Sequence, residues 1–210
     1  MSFQSLYDNP VLGTALPCAA AAVVLAFAQR KRGLVRAYGT VFSIAIAADA
    51  WLNGPWTPVK LKPAWVIPVF FVILGDFRYF VVLEDAFAHA LKLVRAAALA
   101  FVVPVTMQII RWRVPRIEQD ERVTFLVYEL LFMLFALAIR FFVVPRAEDR
   151  TLARRATDFE LVMYGSWIAA DIGILATGID AFYIVRIVAN LLYYVALVPF
   201  MMKLLEKRAK

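Results

Sequence analysis

From Pro10 to Gln29 the chain runs for twenty residues without one charged side chain. That length matters, because about 20 mostly apolar residues in a helix cross the hydrocarbon core of a bilayer. Comparable runs recur, and the pattern predicts about seven spans, at 10–29, 37–54, 64–85, 91–110, 123–145, 159–179 and 181–203. Breaks fall at Arg30-Lys31-Arg32-Gly33, at Asn53-Gly54-Pro55, from Arg111 to Arg122, from Pro145 to Asp158, and at Gly178-Ile179-Asp180. Between the third and fourth spans no Gly or Pro marks a turn. One helix from 64 to 110 would be about 70 Å long at 1.5 Å per residue, twice a bilayer, so a turn is required between 85 and 95.

Composition agrees with the runs. Hydrophobic residues make up 63% and charged ones 19% of 210 residues, against about 45–50% and roughly 25% in soluble domains. A water-soluble chain this size keeps too much surface wet to hide that excess. A transmembrane β-barrel would alternate apolar and polar residues in strands of about 10, and these runs do not alternate. The expectation is a single all-α integral membrane domain covering 1–210, leaving little chain for an extramembrane domain.

Two counts exclude further chemistry. Cys18 is the one cysteine and His89 the one histidine. A disulfide, a thiolate metal cluster or a bis-histidine haem therefore cannot form within one chain. No metal site and no cofactor are expected. There is no HExxH, no phosphate-binding glycine loop and no Ser-His or Cys-His set.

The net charge of +7 points to a lipid surface rather than nucleic acid, because the basic residues lie in short loops beside apolar runs. The segment before the first run has no Lys or Arg and a basic cluster follows it. That is the reverse of a cleavable signal, so the first span reads as retained. With the N-terminus outside, fourteen Lys and Arg fall on the cytoplasmic side. Six, including Lys60, Lys62, Arg116 and Arg122, fall outside. The positive-inside rule then favours N-out, C-in. Trp51, Trp56, Trp65, Trp112 and Tyr183 fall near the outer boundary and read as an aromatic belt. Heavy use of Ala and Arg suggests a GC-rich bacterial genome and hence a bacterial inner membrane.

A short string repeats. Ile46-Ala47-Ala48-Asp49 in the second span recurs as Ile168-Ala169-Ala170-Asp171 in the sixth, with Ser43 and Ser166 just ahead. Each leads to a span carrying an arginine, Arg78 and Arg186. This suggests a parallel duplication of 10–85 and 123–203 about a linker helix at 91–110. A 3+1+3 plan resembles that of sugar-carrier, PQ-loop and KDEL-receptor proteins and, more loosely, opsins, though no PQ dipeptide occurs.

The informative residues are those a bilayer rejects, since a charge at the centre of a span costs at least about 2.5–3.5 kcal/mol. Asp49, Asp76, Arg78, Glu129, Asp171 and Arg186 lie within spans, with Asn190, Tyr128, Tyr164 and Tyr193 as polar neighbours. Arg140, near a span end, reads as a snorkelling structural residue. The simplest pairing joins Asp49 to Arg78 and Asp171 to Arg186, and leaves Asp76 and Glu129 over. Asp76 and Arg78 are about 200° apart around a helix and cannot face one axis together, whereas Tyr183, Arg186 and Asn190 share one face. The plain alternative is that all these groups are helix-to-helix glue.

Three functions compete on this sequence. A small-solute or lipid transporter with a polar, proton-coupled site among its helices leads. Its ligand would be a small polar or amphipathic molecule, and the candidate ligand-binding or proton-relay residues are Asp49, Asp76, Arg78, Glu129, Asp171, Tyr183, Arg186 and Asn190. The second is a seven-helix ligand sensor. Retinal is excluded there, because no lysine lies in the interior of a span to form a Schiff base. The third is a lipid-acting intramembrane enzyme built on a carboxylate pair. No catalytic residue is assigned.

Overall fold

The computed structural model describes residues 2–54, 56–57, 66–114, 117 and 120–208. Lys60, Lys62, Trp65 and Arg116, which enter the charge count and the aromatic belt above, lie outside the described residues. Within them the chain is helical throughout, with no strand and seven helices. These are α1 (Phe3–Ala28), α2 (Gly33–Leu52), α3 (Val66–Asp85), α4 (Lys92–Arg113), α5 (Glu121–Arg146), α6 (Arg150–Thr177) and α7 (Phe182–Arg208).

Five of them, α1, α4, α5, α6 and α7, are long and apolar enough to cross a membrane, and no more than 33% of each apolar window is buried. Large apolar side chains therefore point outward: Val23, Phe27, Ile44, Phe70, Phe101, Leu134, Phe141, Phe142 and Val162 are exposed. Water would penalise that surface and hydrocarbon would not. The chain is a multi-pass helical membrane protein. Trp51, Trp56 and Trp112 are exposed as belt residues would be.

Helix ends follow local chemistry. The Asp120 carboxylate accepts from the backbone N–H groups of Arg122 and Val123 and starts α5. Asp149 accepts from Leu152 N–H and starts α6. That cap corrects the sequence reading, which began the sixth span at 159. The nine extra residues carry Arg150, Arg154, Arg155 and Asp158, so hydropathy hides them. Leu152, Ala153, Ala156 and Thr157 are nonetheless buried on one face, which makes the segment an amphipathic first stretch of the same helix. Gly178 ends α6 at φ +66°, in the left-handed region. The unsignalled turn between α3 and α4 spans Ala86–Leu91. Ala88 sits there at φ +53°, and the ends are tied by Lys92–Asp85 and Arg95–Glu84 ion pairs, each 2.7 Å.

Three helices contain a π turn, at Val11–Ala15, Ile139–Val143 and Leu192–Ala196. Each ends two or three residues before a proline: Pro17, Pro145 and Pro199. Proline donates no N–H and its ring crowds the carbonyl four residues back. Widening the preceding turn moves that carbonyl aside.

The chain divides into two compact units, one of residues 1–78 with 190–210 and one of residues 79–189. In the first, α1 packs on α2. Gly39 lets the α2 backbone close on Ala28 and Met202, leaving no room for a Cβ, the small-residue contact that membrane helices favour. Lys31 pairs with Glu206 at 3.0 Å. In the second, α5 and α6 are antiparallel neighbours locked by an aromatic layer. The Phe132 and Tyr164 rings stack 4.1 Å apart at 19°, with Phe80 and Tyr79 against Phe132. The Phe182 ring lies on Gly173, closing the α6–α7 turn.

Candidate functional site

Each unit gathers buried charge around an aspartate. In the unit of residues 79–189 it centres on Asp171, which is fully buried on α6. Its Oδ1 accepts from Arg122 Nη1 at 3.1 Å and from Arg186 Nη1. Arg122 Nη2 also donates to the Tyr183 hydroxyl at 3.2 Å, and its guanidinium lies 5.3 Å from the Tyr183 ring centroid. Glu129, 5% exposed on α5, lies within the electrostatic reach of Asp171, Arg186 and Arg122. Glu129 Oε2 and Asp171 Oδ2 are both buried without a hydrogen-bond partner.

The expected Asp171–Arg186 pair is thus present, and the structure adds a second cation to it. Sequence reasoning placed Arg122 in a basic loop and missed it. The readable signal was spacing: Arg122 and Glu129 are seven apart and share a helix face once α5 starts at Glu121. The tetrad carries two positive and two negative groups. Two arginines on one carboxylate oxygen are strong charge-assisted contacts, but they leave Asp171 Oδ2 and Glu129 Oε2 unsatisfied, which glue alone does not explain.

The cluster in the other unit is built around Asp49, 5% exposed on α2. Asn53 Nδ2 donates to its Oδ1 at 2.7 Å. The Tyr193 hydroxyl has one proton to share between Asp49 Oδ2 at 3.4 Å and the Phe71 carbonyl at 3.3 Å. Arg78, 2% exposed, places its guanidinium 4.2 Å from the centroid of the Tyr193 ring. The expected Asp49–Arg78 association is present electrostatically, and Tyr193 joins it, with the acid at its hydroxyl and the cation on its face. Gly75 makes this possible, because a Cβ there would press on the Tyr193 hydroxyl and on Arg78. The recess lined by Ile46, Asp49, Phe71, Gly75, Arg78 and Tyr193 has room for about one water.

The remaining predicted residues sort between these clusters. Asp76, 3% exposed, acts electrostatically on Tyr193. Asn190 lies in the same unit as Asp49, whereas Arg186 and Tyr183, one and two turns earlier, lie in the unit of Asp171. The eight candidates thus form two groups rather than one. Arg140, read as snorkelling, pairs with Asp158 at 2.6 Å.

A second omission is Glu160, 1% exposed on α6. It shares a face with Tyr164 and Asp171, four and eleven residues on. A site drawn around span centres passes over it. Among the described residues no group of three or more His, Cys, Asp or Glu side chains is placed to hold a metal ion. Comparison with family models, curated proteins and solved structures gives no match to this chain, so its function is argued from its own residues.

Proposed function

We propose that the protein is a permease for a small polar or amphipathic solute, coupled to protons through the Arg122–Asp171–Arg186–Glu129 tetrad. The observation that carries this reading is Glu129. A carboxylate buried among apolar helices, with an oxygen that no donor satisfies, is stable in one protonation state only while its surroundings hold still. A solute that shifts either arginine changes what Glu129 sees, which couples binding to a proton. Charged groups inside membrane helices are ordinarily pathways of this kind. The reading extends to seven spans oriented N-out and C-in in a bacterial inner membrane. It also includes the duplication of 10–85 and 123–203, which the repeated Ile-Ala-Ala-Asp string supports.

The test is thermal stability of the purified protein in detergent against a panel of amino acids, sugars, organic acids and lipids at two pH values. Asp171→Asn and Arg186→Gln are run beside the parent. A ligand at a hundred times its dissociation constant adds about 2.7 kcal/mol. A stabilisation in the parent that both variants lose, followed by uptake of that compound into liposomes, is the expected result. Binding without uptake would make the protein a sensor. No stabilisation by any compound, with both variants merely less stable, would reduce the tetrad to glue.

A further inference from the structure

One face of α6 carries Thr157, Glu160, Tyr164 and Asp171, all buried. At 100° per residue they fall within about 60° of each other, and they extend over about 21 Å of helix. That is two thirds of a hydrocarbon core. Neighbouring helices of the same unit complete the line. The Tyr164 ring stacks on Phe132, and Glu129 lies one turn before Phe132, towards Asp171. The Tyr79 hydroxyl is 2.9 Å from Thr157 Oγ1, and Tyr79 feels the charges of both Glu160 and Asp158. Asp158 is half exposed and paired to Arg140 and Arg154. At the opposite end Arg122 is about a quarter exposed.

We infer that this line is a proton route through the unit of residues 79–189, entering beside Arg122 and leaving at Asp158. The inference rests on the proton-coupled reading above and names the path that reading requires. A proton arriving at the Arg122–Tyr183 end is taken up by the Glu129 carboxylate. Glu129 gives it to the Tyr164 hydroxyl oxygen as that hydroxyl releases its own proton towards Glu160. Glu160 passes a proton to the Tyr79 hydroxyl oxygen as that hydroxyl gives its own proton to Thr157 Oγ1; Thr157 turns its proton from the Ala153 carbonyl, where it rests at 2.8 Å, towards Asp158, where water removes it. Each hydroxyl ends as it began and each carboxylate returns to its starting charge. Along the α6 axis Glu160 lies about 4.5 Å from Thr157 and about 6 Å from Tyr164. Protonation of Glu129 leaves the tetrad with one net positive charge.

The experiment uses the full chain in liposomes with the dye pyranine inside and a potassium diffusion potential set by valinomycin. The probe is the proton itself, measured with and without the solute panel. Glu129→Gln, Glu160→Gln and Tyr164→Phe are expected to cut proton entry by about a hundredfold, and Glu160→Asp to restore part of it. Infrared difference spectra across a pH step, recorded on the same detergent-purified variants, check the route without any solute. The parent is expected to show protonated-carboxylic-acid bands, one lost in Glu129→Gln and another in Glu160→Gln, in variants that still unfold cooperatively. Glu160→Gln conducting like the parent, or retaining every carboxylic band, would overturn the route and leave the permease reading intact. Solute uptake with no proton entry would overturn both the route and the proton coupling, and leave solute transport alone standing. Neither proton entry nor uptake would overturn both.

Discussion

The Arg78 guanidinium lies 4.2 Å from the centroid of the Tyr193 ring, and the same tyrosine turns its hydroxyl towards Asp49. The cation and the acid thus share one aromatic side chain, whose face and edge have opposite electrostatic character. A desolvated cation–π contact contributes about 2 kcal/mol, more than a long, shared hydrogen bond. Tyr193→Phe is therefore expected to cost about 1 kcal/mol, and Tyr193→Leu clearly more. Thermal unfolding in detergent checks it; equal losses would mean that the hydroxyl, not the ring, holds Arg78 in place.

Asp171 supports two arginines through one oxygen. Asp171→Asn removes the charge both depend on and is expected to destabilise the protein by about 3–5 kcal/mol, the range for breaking a buried pair. Arg122→Gln, at the more exposed partner, is expected to cost about 1 kcal/mol. In the double variant the two losses should fall short of additive, because the contact is counted in each single change. Additive losses would show that Arg122 and Asp171 do not interact.

The turn between α3 and α4 places a non-glycine residue, Ala88, at φ +53°. An L-residue there carries a penalty of about 1 kcal/mol that glycine escapes. Ala88→Gly is expected to raise the melting temperature by about 2–4 °C, the shift that 1 kcal/mol gives a chain of this size. An unchanged or lower melting temperature would show that flexibility gained in the unfolded chain outweighs the relief.

Gly173 faces the Phe182 ring with no room for a side chain. Gly173→Ala is expected to cost about 1–3 kcal/mol through overpacking. Phe182→Leu in the same background should recover part of that loss, since a smaller side chain frees the space. No recovery would place the cost elsewhere on α6.

Helix number and most turns were legible in the sequence because runs of apolar residues and clusters of arginine report directly on what lipid accepts. Length alone required a turn without Gly or Pro in the stretch 85–95, and left its position there open. The start of α6 was not legible, because its first nine residues are half charged and lie on hydrophobic residues only by helical spacing. Arg122 escaped for the same reason: as a loop residue it is a topology signal, and only the Asp120 cap turns it into a helical neighbour of Glu129. Asp171–Arg186 could be paired from charge count. The joining of Tyr193 to Asp49 and Arg78 could not, because hydropathy carries no information on where a turn widens, and Tyr193 sits in such a turn.

Those widened turns have a consequence for how the chain can change. Each holds one residue more than the α turn it replaces, and each is followed closely by the proline whose ring it accommodates. Dropping a residue between 192 and 196 while keeping Pro199 would press the ring back onto a carbonyl, and losing the proline alone would strand the surplus residue. Length and proline are therefore inherited as a pair: in descendants of this chain a one-residue gap at 192–196 and a replacement at 199 would be found together or not at all.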